Sequence, residues 1–91
     1  MSVQVRVPTV LRTYTGGAKE VASEGATVGE VFETLDTAHP GIRGRVVDEQ
    51  GQLRRFINVY VDNEDVRFAD GLATPVTDGA QVSIIPSVAG G

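Results

Sequence analysis

No cysteine and no tryptophan occur in this chain, and histidine and methionine occur once each. The missing thiols exclude disulfides, thiolate zinc sites, iron–sulfur clusters and cysteine nucleophiles together. The lone histidine, His39, has no partner with which to build a metal site or a nucleophile–base pair. Its place in AHPG, at a helix end, suits a contact with the C-terminal helix dipole instead. No window approaches the roughly 18 apolar residues that span a membrane as a helix, and MSVQVRVP shows no basic segment followed by an apolar one, so a cytoplasmic protein is expected. Basic residues are the minority: eight Lys and Arg stand against twelve Asp and Glu, a net charge of −4. An acidic chain argues against a phosphate backbone as partner, and leaves solubility or an electropositive protein partner as its use.

What is present is enough for one small core. A chain of 91 residues with 41 % hydrophobic and 22 % charged residues has the composition of an ordinary folded domain and cannot divide its apolar side chains between two cores. VQVRV alternates Val3, Val5 and Val7 with polar residues, the period of a half-buried strand that Pro8 ends. Gly16-Gly17 signals a turn, and KEVAS after it reads as the second strand of a hairpin. In ATVGEVFETLDTAHPG the apolar residues Val28, Val31, Phe32 and Leu35 follow helical spacing. Thr27 and Glu30 form a capping box, and Pro40-Gly41 stop the helix.

GIRGRVVDEQGQLRR keeps neither period and is expected to be an irregular connection with one helical turn. FINVYV alternates again, with Ile57, Val59 and Val61 on one side and Phe56, Asn58 and Tyr60 on the other. DNED reads as a turn into a short strand VRF, since its three carboxylates lack the spacing of a calcium loop. TDGA reads as a turn, and QVSII as the last strand, closed by Pro86. The order predicts an α+β domain over residues 1–86, a mixed sheet of four to five strands packed on one main helix, followed by a flexible tail over residues 87–91.

The closing DGAQVSIIPSVAGG resembles the C-terminus of the ThiS/MoaD family of ubiquitin-like sulfur-carrier proteins. TVLRTYTGG, HPGIRGRVVDEQGQLRRFINVYVDNEDVRF and GLATPV are similar to its actinobacterial CysO branch, so the resemblance covers nearly the whole chain. It implies a β-grasp fold with the last strand central beside the first. It also implies a function centred on the carboxylate of Gly91. A ubiquitin-activating-type enzyme of the MoeB, MoeZ or ThiF type would use ATP and magnesium to make an acyl-adenylate there. Sulfur would then replace AMP, leaving a 1-thioglycine. The carrier itself would bind no cofactor, and the missing cysteines rule out a β-grasp ferredoxin.

For the branch resembled, the implied acceptor is a pyridoxal-phosphate cysteine synthase, with a tail-trimming metalloprotease as a further partner. Molybdopterin, thiamin thiazole or a sulfur-containing natural product are alternative sinks, and a ubiquitin-like protein modifier is an alternative use of the same carboxylate. An enzyme in its own right is disfavoured, because no nucleophile, base and cleft-forming motif occur together.

Glycine at Gly90 and Gly91 suits passage through a narrow channel, because a residue without a Cβ adopts backbone angles others avoid and blocks nothing. Ala89 continues the tail, and Val88 is the first bulk, a stop at the channel mouth. By strand alternation Phe56, Tyr60 and Ile85 should form an apolar docking patch on the sheet face away from the helix. Arg6, Arg54, Arg55 and Arg67 either rim that patch or are solvated charges.

Overall fold

The computed structural model describes residues 2–86. Five strands form one mixed sheet: β1 (Ser2–Arg6), β2 (Glu20–Glu24), β3 (Ile57–Val61), β4 (Glu64–Asp65) and β5 (Gln81–Pro86), in the order β2-β1-β5-β3-β4. β5 is central, parallel to β1 through Val5↔Val82 and antiparallel to β3 through Val59↔Ile84; all other pairs are antiparallel. The main helix, α1 (Val28–Ala38), and the short α2 (Ile42–Val46) supply the second layer. This is the β-grasp arrangement that the resemblance implies.

The binary pattern explains the layering. Val3, Val5, Val59, Val82 and Ile84 turn one face of the sheet toward Val28, Val31, Phe32 and Leu35 of α1, and all nine are buried. Thr27 caps the helix, its Oγ1 accepting from the Glu30 N–H at 3.3 Å. Glu30 reaches back one residue further than a capping box requires, its Oε1 accepting from the Ala26 N–H at 2.9 Å. Ala26 and Val28 also bond the 74–76 segment through Val28 N–H to Thr74 O and Val76 N–H to Ala26 O, both 3.0 Å, which fixes the helix start twice over.

β2 approaches the first turn of α1 closely. Ser23, the buried polar residue on its inner face, donates from Oγ to the Val31 carbonyl at 2.8 Å. Gly25 follows, and a Cβ there would lie 2.7 Å from Val31 N and 2.9 Å from Glu30 C, both backbone atoms that cannot swing aside. Gly25→Ala is therefore expected to lower stability by about 1–3 kcal/mol, the usual cost of overpacking, measured as a drop in the denaturation midpoint.

Four expectations are corrected. The connection from β1 to β2 is not a plain turn: a 3₁₀ helix spans Thr9–Thr15 before Gly16 and Gly17 reverse the chain at φ 65° and 91°. VRF is a 3₁₀ turn, because the Asp65 carboxylate accepts the Arg67 N–H at 2.9 Å and draws the backbone round after only two residues of β4. Phe56 precedes β3 and sits in a turn rather than on the strand. Pro86 is the last residue of β5, opposite Ile57, so the ladder includes it. Asp62 and Asn63 make the hairpin turn between β3 and β4 with φ of 48° and 76°, the positive pair of a two-residue hairpin.

Candidate functional site

Strand β5 runs up the middle of the sheet and carries the chain toward its last residues. Val88, Ala89, Gly90 and Gly91 lie outside the described residues, so the root of the candidate site is its visible part. Ile85 is 44 % exposed on the sheet face away from the helices. It stands opposite Asn58, while the half-buried Tyr60 stands opposite Ser83 on the same face. Ile85 and Tyr60 are thus diagonal neighbours across one strand pair, within reach of each other's side chains. Phe56 is 64 % exposed at the end of the sheet, beside the Ile57↔Pro86 pair, so it flanks the tail root from the edge.

Its position is built rather than loose. The Arg54 carbonyl accepts the Ile57 N–H at 3.0 Å, closing a tight turn with Arg55 and Phe56 as its central residues. The same carbonyl accepts from Arg67 Nη2 at 2.7 Å, and Arg67 Nη1 donates to Asn58 Oδ1 at 2.7 Å. One guanidinium therefore ties the turn to β3 with its two-pronged donor geometry. On the other side of β5, Arg6, Pro8, Arg12 and Ile85 line a shallow groove of about 200 Å³. Arg12 is held there by Nε donating to the Val7 carbonyl at 3.1 Å.

Two surface residues were not singled out from sequence. Phe68, 90 % exposed in the 3₁₀ turn after β4, is hidden from a periodicity argument because VRF reads as a strand. Arg12 sits in TVLRT, where the 3₁₀ helix after Pro8 turns it back toward β1. His39 closes α1, its N–H bonded to the Leu35 carbonyl at 2.8 Å. Its Nδ1 lies 3.2 Å from the Tyr14 carbonyl, which can only accept, so Nδ1 carries the proton and the ring pins the 3₁₀ helix to the end of α1. Among the described residues, no three His, Asp or Glu side chains gather into a set that would hold a metal ion, and no helix is long and apolar enough to cross a membrane.

The model of the ThiS family matches residues 5–91. The chain belongs to the ThiS family. Among its relatives, this ThiS-family chain is 50 % identical over 93 residues to the sulfur carrier protein CysO of Mycobacterium tuberculosis, with both chains covered completely. It superposes on a chain of the Amycolatopsis orientalis BexX/CysO complex with a TM-score of 0.92 and 53 % identity, over 98 % of its own length and 99 % of that chain. It is also 40 % identical over 68 residues to small archaeal modifier protein 3 of Haloferax volcanii, covering 75 % of this chain and 73 % of that one. The mixed sheet with its central parallel pair is accordingly the ubiquitin-like β-grasp of that family.

Proposed function

We propose that this protein is a sulfur carrier whose Gly91 carboxylate is adenylated, converted to a thiocarboxylate and used to deliver sulfur to cysteine biosynthesis. The observation that carries the proposal is the end-to-end similarity to a sulfur carrier protein at 50 % identity. The chemistry follows from the group involved. A carboxylate resists nucleophiles because its charge is spread over two oxygens. Attack of one of those oxygens on the α-phosphorus of ATP expels pyrophosphate and turns that oxygen into part of a phosphate leaving group. Sulfide then attacks the carbonyl carbon and AMP departs, leaving the thiocarboxylate. If the sulfur arrives as an enzyme persulfide, the first product is an acyl disulfide, and a thiol must reduce its S–S bond to release the same thiocarboxylate.

In this scheme the chain contributes presentation, with the general base and the oxyanion donors belonging to the enzymes it visits. An ATP-dependent enzyme of the ubiquitin-activating type supplies adenylation with magnesium. The acceptor is a pyridoxal-phosphate cysteine synthase, where the thiocarboxylate sulfur adds to an aminoacrylate. A metalloprotease that trims the tail is a third partner. Incubation with the adenylating enzyme, ATP and sulfide should raise the intact mass by one O→S exchange. Unchanged sulfur transfer after deletion of Gly91 would overturn the proposal.

Similarity to a small archaeal modifier protein favours one second use, capture of the activated Gly91 by a lysine amine. In that case conjugates that withstand reductant and hydroxylamine should form with lysate proteins in place of the thiocarboxylate.

A further inference from the structure

Aspartate is followed by glycine twice in this chain, at Asp70-Gly71 and at Asp78-Gly79. The pair carries a latent reaction, because glycine has no Cβ to keep its amide nitrogen away from the side-chain carboxyl carbon of the residue before it. Both aspartates are exposed, so access to water does not separate them. Hydrogen bonding does.

At Asp78 both reacting groups are taken, and by one residue. The Ser2 N–H donates to Asp78 Oδ1 at 2.9 Å, while the Ser2 carbonyl accepts the Gly79 N–H at 2.7 Å. Carboxylate and amide are thus both committed to the start of β1. At Asp70 neither is. Among the described residues the Asp70 carboxylate accepts no hydrogen bond and the Gly71 N–H donates none. Asp70 is held through its backbone alone, its N–H donating to Thr74 Oγ1 at 3.1 Å and its carbonyl accepting from the Ala73 N–H at 3.0 Å.

We infer that Asp70-Gly71 is a site of spontaneous isomerisation to isoaspartate, selected by the fold over Asp78-Gly79. The step is a ring closure followed by a hydrolysis. Gly71 N attacks Asp70 Cγ: a C–N bond forms, the amide proton is lost to solvent, and one carboxyl oxygen departs as water, leaving a five-membered succinimide. Water then adds to one of its two carbonyls. Cleavage between nitrogen and Cγ restores aspartate, whereas cleavage between nitrogen and the main-chain carbonyl carbon sends the backbone through Cβ and Cγ. No oxidant or reductant is consumed, and the product has the mass of the starting chain. Closure needs the nitrogen eclipsed with Cβ, so the peptide after Asp70 must rotate from its ψ of 21°. Only the Ala73 N–H bond to the Asp70 carbonyl resists that rotation directly. Gly71, at φ 58°, leaves and re-enters its conformation without the strain a side chain would add.

The position gives the change a consequence. Asp70 leads into the 3₁₀ turn Gly71–Ala73, which packs on the first turn of α1: a Cβ on Gly29 would lie 3.2 Å from the Leu72 carbonyl oxygen, and the Thr74 carbonyl accepts the Val28 N–H at 3.0 Å. A main chain lengthened by one methylene just ahead of these contacts shifts the turn off the helix start. Isoaspartate at Asp70 is therefore a mark of age that loosens the cap of α1, whatever Gly91 carries.

The test is prolonged incubation of the purified full chain in warm neutral buffer, with and without guanidinium chloride, followed by peptide mapping that separates isoaspartyl from aspartyl peptides. Transfer of labelled methyl groups from S-adenosylmethionine by an isoaspartyl methyltransferase counts the sites independently. In the native chain isoaspartate should accumulate about tenfold faster at Asp70 than at Asp78, where the two Ser2 bonds must open first, a difference equivalent to ~1.4 kcal/mol. In denaturant the two rates should converge. Ser2→Pro removes the N–H that holds Asp78, at the first residue of a strand where proline is tolerated, and should raise the rate at Asp78 while leaving Asp70 unchanged. The isomerised fraction should melt below the fresh chain.

Equal rates at the two sites of the native chain, or no isoaspartate at Asp70, would overturn the inference. A preference for Asp70 that persists unchanged in denaturant would trace it to the neighbouring residues instead of the fold, and would overturn it as well. An isomerised fraction that melts with the fresh chain would overturn the effect on α1. None of these outcomes bears on the carrier proposal.

Discussion

A chain lengthened by one residue after Gly91, or lacking Gly91, is expected to show no detectable adenylation while melting at the wild-type temperature. The two halves of this result belong together. In the proposed function the reacting oxygen must lie in line with the α-phosphorus of a nucleotide bound to another protein, and misplacement of a reacting group by about 1 Å costs on the order of 100-fold in rate. One added residue moves the carboxylate about 3.3–3.6 Å further along an extended chain, and one removed residue withdraws it by as much. Substitution is milder than displacement, so Gly90→Val should retain activity at about one-hundredth of wild type or less, limited by the fit of its side chain in the channel. ATP–pyrophosphate exchange reads the first step and intact mass reads the second. Folding should be unchanged, because among the described residues the core is complete before Pro86.

Phe32→Ala should have the largest effect on stability. Phe32 is the largest of the fully buried side chains, on the face of α1 that covers the sheet. Its removal is expected to cost about 3–5 kcal/mol, from lost apolar burial plus the cavity left behind. Domains of this kind have roughly 5–15 kcal/mol in total, so about a fifth of the margin is lost at the least and all of it at the most. The melting temperature should fall by at least about 12 °C, at ~4 °C or more per kcal/mol for a chain of this length. Calorimetry with the wild-type chain as reference measures it. A fall of only a few degrees would mean that the helix repacks on β1 and β5 and that Phe32 is not the keystone its burial implies.

These two expectations mark what was legible from the residues. Val28, Val31, Phe32 and Leu35 are read as one buried stripe because a helix with one wet side leaves a repeat near 3.6 that composition cannot mimic. The alternation of β1, β3 and β5 is equally plain, since each has one face against α1. Short elements resist such reading. VRF has strand composition, yet a single carboxylate, Asp65, bends it into a 3₁₀ turn, because two residues of ladder offer less than one charge-assisted bond to a backbone N–H.

The outer face of the sheet was legible in part. Alternation placed Tyr60 and Ile85 on the outer side, but it carried Phe56 onto the strand, when the Arg54–Ile57 hydrogen bond places it in a turn. The clustering of the arginines was legible in part, since a rim of Arg6, Arg54, Arg55 and Arg67 is one of two readings of the sequence, and that reading leaves out Arg12. Arg6, Arg12, Arg55 and Arg67 are scattered along the sequence, and only the parallel pairing of β1 with β5 and the return of the chain after β4 bring them to one end.

That parallel pair has a bearing on how the protein is made. β1 leaves the ribosome first and β5 last, and the Ser2 N–H to Asp78 bond spans 76 positions of sequence. Such remote pairing is slow to form because the intervening chain must be gathered before the contact rewards it. A nascent chain can shape the α1 helix early, but β1 and β3 each keep an unpaired edge until β5 arrives between them. Synthesis broken off before Gln81 thus leaves an open sheet exposed to proteases and lacks the terminal glycines as well. The sheet therefore closes only once its central strand has been made, and every residue after Pro86 follows a strand on which the rest of the fold already depends.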